Sequence, residues 1–200
     1  MRMRVVLVAV AALVAAACGS NTSSTAGAGD PAAADPAAAD PATTVSPSGS
    51  SAPGTVAIMA LPITDARTGE TFTLADYAGT PLYVENFATW CTNCKKQLQN
   101  VQAATAGSDA DVAYVSLSVE TDLSAEDIAT YADDEGFDGI RFAVMSPEML
   151  AAMNDQFGNS SLNPPSTPHF VVAADGQIGE LATGFKEPDQ VLASLGVSGG

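Results

Sequence analysis

The stretch ENFATWCTNCKKQL, Glu85 to Leu98, holds two of the three cysteines of this 200-residue chain, separated by two residues. The apolar run PLYVENFA (Pro81–Ala88) reads as a short strand. CTNCKKQLQNVQAATAG then has helical spacing, with Leu98, Val101 and Ala104 on one face and Gly107 as a stop. Cys91 and Cys94 therefore fall at a strand-to-helix turn. A metal clip, a structural disulfide and a working redox couple all use such a pair. Structural zinc wants four ligands, and no second cysteine pair exists. A disulfide closing so small a loop stabilises little on the chain-entropy view. A redox couple suits the placement. Unpaired amides and the dipole at a helix start favour a Cys91 thiolate. Cys94, on the same side of the first turn, can attack a mixed disulfide formed on Cys91.

Further elements flank this turn on both sides. Residues 56–78 read as an opening pair of short strands, VAIMAL and TFTLADYAG, around the turn DARTGE. DVAYVSLSVE (Asp111–Glu120) is a β-branched, apolar strand. Ser124 with Asp127 resembles a capping box, opening a helix to about Glu135. RFAVM (Arg141–Met145) is a strand, and Pro147 suits the first turn of a helix that continues to about Phe157. After the proline-rich NSSLNPPSTP, HFVVAADGQIGELATG reads as a hairpin turning at Asp175-Gly176. Glu187 to Leu195 is a last short helix. Alternating strands and helices favour parallel pairing through right-handed crossovers. The expected fold is α/β: a central mixed sheet flanked by helices, with extra N-terminal strands.

The N-terminus has a different composition. Arg2 and Arg4 precede the apolar run Val5–Ala17. That run falls short of the about 20 residues a permanent membrane helix needs, which is the layout of a secretory signal peptide, residues 1–17. The sequence AAACGS resembles a bacterial lipobox, which implies cleavage before Cys18 and lipidation of Cys18. Residues 18–54, with the repeat DPAAADPAAADPA, bury too little apolar surface to fold alone and read as a tether. Residues 55–200 remain for one domain. A net charge of −16 argues against nucleic acid as a partner. Export makes disulfides admissible.

The motif Trp90-Cys91-x-x-Cys94-Lys95 at the strand-to-helix turn, the βαβ elements and Thr167-Pro168 before a strand hairpin together resemble the thioredoxin fold. In detail they are similar to exported, membrane-tethered proteins of the TlpA and ResA type. The resemblance spans about Thr55–Leu195 and implies a thiol–disulfide oxidoreductase that needs no cofactor. It favours reduction of cysteine pairs in exported proteins, coupled to a membrane dithiol donor or acceptor, on the extracytoplasmic face of a bacterial membrane. Four residues acquire roles from it. Glu85, a carboxyl inside an apolar strand, would accept the proton of Cys94 if buried; period-2 counting equally allows a solvent-facing edge position. Pro168 would be a cis-proline packed against the dithiol, and Thr167 would offer its backbone to bound substrate. Trp90 would flank the dithiol and contact an extended substrate. ResA-like proteins carry a Glu three residues after the second cysteine; Gln97 stands there and cannot ionise. Asn93 replaces the Pro of many reducing relatives.

Two other chemistries share parts of this pattern. His169, the only histidine, follows Pro168 and could join Cys91 and Cys94 in binding copper. The Sco-type copper-delivery proteins space their cysteines by three residues, however. Met145, Met149 and Met153 recur every four residues, which suits core packing better than a thioether stripe. A peroxiredoxin-type peroxidase would need a proline ahead of its cysteine that ENFATWC lacks.

Overall fold

A computed structural model describes residues 53–197, with side chains from residue 57 onward. Residues 1–52 lie outside it, and with them the expectations about the signal peptide, Cys18 and the tether. No helix among the described residues is long and apolar enough to cross a membrane.

The central sheet has four strands: β3 (Leu82–Phe87), β4 (Ala113–Ser118), β5 (Arg141–Val144) and β6 (His169–Val172), in the order β5-β4-β3-β6. The pairs β3–β4 and β4–β5 are parallel, and β6 runs antiparallel to β3. Every residue of the central strand β3 is buried. Its alternating side chains divide the core in two. Tyr83 and Phe87 face a cluster with Cys91, Cys94, Leu98, Ile128, Phe142 and Leu192. Leu82 and Val84 face a second cluster with Ile58, Val115, Met149, Met153 and Phe170. Each such fully buried side chain contributes about 1.5–3 kcal/mol.

Helices α2 (Thr92–Ala106), α3 (Ala125–Asp134) and α5 (Pro188–Ser194) carry the first cluster; α1 (Pro53–Ala60) and α4 (Pro147–Phe157) carry the second. Ser124 and Asp127 form the expected capping box of α3, and Pro147 sits in the first turn of α4. Met145, Met149 and Met153 are buried packing residues, as their spacing suggested.

VAIMAL is not a strand. It lies in helix α1, where Pro53 occupies the first turn and Ile58 is fully buried. A short apolar run carries no period that separates the two structures. The extra strands are β1 (Ile63–Thr64) and β2 (Thr71–Phe72), a small antiparallel hairpin that begins after this helix. Asp65 Oδ1 accepts the Arg67 and Thr68 N–H groups in its turn, which Gly69 completes at φ 70°. Arg141 then clasps Asp65 at 2.9 Å and Glu70 at 2.7 Å, fixing the hairpin to β5. The C-terminal hairpin forms around Asp175-Gly176, but its return arm makes isolated bridges, His169 with Ala182 and Val172 with Ile178.

Candidate active site at the start of α2

The turn between β3 and α2 carries Trp90, Cys91 and Cys94. Cys91 is the N-cap of α2 and is disulfide-bonded to Cys94, with their Cα atoms 5.3 Å apart. The Cys94 N–H donates to Cys91 Sγ at 3.1 Å, so the helix start points a donor at the sulfur that would carry the thiolate. The two sulfurs differ in access. Cys91 is 3% exposed but lines two surface grooves, whereas Cys94 is fully buried. The larger groove, about 420 Å³, runs between Thr89, Trp90 and the α2 residues Thr92, Lys96 and Gln99. The smaller, about 250 Å³, is closed by Asn93 and Pro165. Trp90 stands 63% exposed at both.

Several contacts hold this turn. Asn93 Nδ2 donates to the Pro165 carbonyl at 3.0 Å. The Pro164 carbonyl oxygen lies 3.1 Å from Cys94 Sγ, placed to accept the S–H of the reduced form. Glu120, at the end of β4, accepts the Thr89 N–H and, at 3.0 Å, its hydroxyl. Lys95 pairs with Glu135 at 2.6 Å rather than with the cysteines. Gln97 is fully buried; its Oε1 accepts the Lys186 N–H at 2.8 Å and its Nε2 donates to the Lys186 carbonyl at 3.3 Å. That amide pins the segment before α5 to α2. It brings Phe185, 49% exposed, to a groove of about 360 Å³ that shares Lys96 and Gln99 with the Trp90 groove. Trp90 and Phe185 are the exposed large hydrophobic residues among those described. Sequence reading had no signal for Phe185 or Glu120, because both reach the site through long-range contacts.

Glu85 is 1% exposed, with both carboxyl oxygens unpartnered among the described residues. Strands on either side exclude the edge position that period-2 counting allowed. Glu85 lies between Tyr83 and Phe87 in β3, on the face that packs against Cys94 and Leu98. Burial pushes its carboxyl well above the ordinary carboxylate range. Burial first, and then the nearness of Glu135, Glu85 and Glu120, pushes the Tyr131 phenol up to about 12.

Pro168 departs from expectation. The described residues contain no cis peptide bond, so the Thr167–Pro168 bond is trans. The chain turns into β6 instead through a left-handed Thr167, φ 48° and ψ 59°. Pro168 is buried, and its carbonyl accepts the Asn86 N–H at 3.0 Å. The Thr167 backbone is engaged within the chain. Its N–H donates to Pro164 at 2.7 Å, its carbonyl meets His169 Nδ1 at 2.9 Å, and the residue is 1% exposed. Pro164 and Pro165 lie beside the dithiol.

His169 packs beneath the sheet, stacked on Tyr83 with ring centroids 5.2 Å apart. Among the described residues no three of His, Cys, Asp and Glu gather to hold a metal ion, and Cys91 and Cys94, two members of the expected copper set, are joined to each other as a disulfide. The Nδ1 of His169 is turned to Thr167 and its ring is held by Tyr83.

A family model described as Redoxin matches residues 31–195. No curated protein sequence matches the chain. Among solved structures, the exposed lipoprotein thioredoxin of Streptococcus pneumoniae superposes with a TM-score of 0.55 at 18% identity, covering 68% of this chain and 97% of that one. A thioredoxin-family thiol:disulfide interchange protein from Chlorobium tepidum gives 0.55 at 20% identity, over 68% and 92%. A secreted Mycobacterium tuberculosis disulfide oxidoreductase gives 0.52 at 14% identity, over 70% and 97%. These similarities share the thioredoxin-like fold.

Proposed function

Because the chain belongs to the redoxin family and is a thiol–disulfide oxidoreductase with a Cys-x-x-Cys pair, we propose that it works outside the cytoplasm as a reductant of disulfides in exported proteins. In this reading a lipid on Cys18 holds it at the membrane, and a membrane dithiol donor renews its thiols. The observation that carries the reading is a disulfide at a helix N-terminus with one sulfur lining a groove and the other sealed. The apolar run before Cys18 supports export. So does likeness to an exposed lipoprotein thioredoxin and to a secreted oxidoreductase.

In the reductive direction the Cys91 thiolate attacks a partner disulfide. One partner sulfur leaves as a thiolate and the other stays bonded to Cys91. Cys94, three residues on, then attacks Cys91 Sγ, closing the intramolecular disulfide and releasing the second partner thiolate. Trp90 and Phe185 offer apolar contact to the partner chain beside the reacting sulfur, and Glu85 is the buried acid–base group on the face that packs against Cys94.

Redox titration against glutathione and dithiothreitol tests this. A transition below about −200 mV is expected for a reductant; one near about −120 mV would make the protein a disulfide donor instead. Cys91→Ser should abolish turnover of a disulfide substrate, and Cys94→Ser should accumulate mixed disulfides visible on non-reducing gels. Full activity in Cys91→Ser would overturn the assignment.

A further inference from the structure

Glu85 alone is a poor acceptor for the Cys94 proton. A carboxyl held in its protonated form must first lose that proton. The strand register supplies a candidate taker. Glu85 pairs directly with His169 across β3 and β6, which places their Cβ atoms about 4.5–5.5 Å apart on one face. His169 is 2% exposed. A carbonyl can only accept, so the 2.9 Å contact with Thr167 puts the ring hydrogen on Nδ1. The lone pair is then on Nε2, a buried atom with no partner among the described residues, as are both Glu85 oxygens.

We propose that Glu85 and His169 act as one couple beneath the dithiol, His169 taking the proton of Glu85 while Glu85 takes that of Cys94. The proposal rests on the exchange reading above. In the mixed disulfide, with these side chains drawn into hydrogen-bond reach or joined by a water, the Cys94 S–H passes its proton to one Glu85 oxygen as the proton on the other moves to His169 Nε2. The Cys94 sulfur uses the freed electron pair to bond Cys91. The Cys91–partner bond breaks, and the partner leaves as a thiolate with that bond's electrons. One proton has moved from Cys94 to the imidazole, and the partner has gained two electrons overall. The imidazolium then returns its proton to water.

The surrounding groups fit a transient role. Burial first, and then the Lys186 ammonium, lowers the affinity of His169 for a second proton, although the Thr167 carbonyl raises it. The imidazolium is therefore a state the site sheds. Tyr83 on β3 and Tyr131 on α3 are the phenols near the couple, both held neutral by burial. Glu120 and Glu135 lie beyond Tyr131, and Cys94 closes the cluster from α2.

Single-turnover oxidation of the reduced full chain by oxidised glutathione tests the couple, followed by fluorescence of Trp90 from about pH 5.5 to about pH 9. Capture at Cys91 depends on glutathione concentration, closure by Cys94 does not, and capture is the internal reference. His169→Asn keeps a donor near the Nδ1 position and removes Nε2. It should slow closure by roughly tenfold or more near neutral pH, a modest share of what positioned acid–base groups supply. It should converge with the wild type at alkaline pH, where Cys94 ionises unaided. Glu85→Gln should match it, and the double variant should be no slower than either alone. Closure in His169→Asn at the wild-type rate would overturn the couple, as would a slowing equal at every pH, which reports a structural role. If His169→Asn does not fold, His169→Gln, which leaves a polar atom without base strength, is read the same way. Failure of the wild type to form a mixed disulfide would instead overturn the exchange reading.

Discussion

Glu85 is a carboxyl without a hydrogen-bonding partner among the described residues, inside a strand covered on both faces. Burial raises its folded-state pKa above the ordinary value of 4.5. Between those two values the folded protein keeps a proton that the unfolded chain releases. Stability therefore falls as pH rises through that window, by up to about 1.4 kcal/mol per pH unit, and levels off above the folded pKa. His169 has the opposite sign. Its folded pKa lies below the ordinary 6.5, so its contribution is present above 6.5 and is lost as pH falls through that value toward the folded pKa. The difference between wild type and Glu85→Gln isolates the carboxyl. Urea midpoints should decline more steeply with pH in the wild type than in the variant as pH rises above about 5; parallel slopes would assign the titration elsewhere. The sequence made Glu85 conspicuous without deciding which way it faces. Alternation sorts side chains into two faces, but only β4 and β6 on either side show that both faces are interior.

The segment before α5 reaches the dithiol because Gln97 binds both backbone groups of Lys186. Phe185 thereby extends the groove that starts at Trp90. Phe185→Ser should slow capture of a peptide disulfide with apolar residues beside its cysteines. The effect should be about fivefold, the scale of roughly 1 kcal/mol from an exposed aromatic contact. The rate with glutathione, too small to span the groove, should hold. Equal losses on both substrates would remove Phe185 from the binding surface. Elements with a clear period were legible: α2, α3, α4 and the four sheet strands fall where spacing put them. VAIMAL was not, since a short run of apolar residues has no polar positions to mark its period. The passage Asn159–Ser166 forms two 3-10 turns, and the second offers the Pro164 carbonyl to Cys94 and the Pro165 carbonyl to Asn93. Backbone contacts of that kind leave no compositional trace.

Across the described residues, the cations are mostly committed to fastening elements together. Arg67 joins the N-terminal hairpin to Asp133 and to the carbonyls of Phe137 and Ile140. Arg141 joins it to β5, and Lys95 joins α2 to Glu135. The α/β class followed from strand–helix alternation alone. The site followed only in part, because the cysteine pair and Trp90 are local in sequence while Glu85, His169, Pro164 and Phe185 converge by folding. The unequal access of the two sulfurs also governs how the molecule meets peroxide. Hydrogen peroxide would convert the Cys91 thiolate to a sulfenic acid. Cys94 would condense with it, losing water and restoring the disulfide before a second oxidation to the sulfinic acid. Mass spectrometry of peroxide-treated reduced protein should find disulfide in the wild type and sulfinic acid on Cys91 in Cys94→Ser; sulfinic acid in both would show that closure is too slow to protect. A thiol kept in reserve beneath the surface makes oxidative injury at this site reversible.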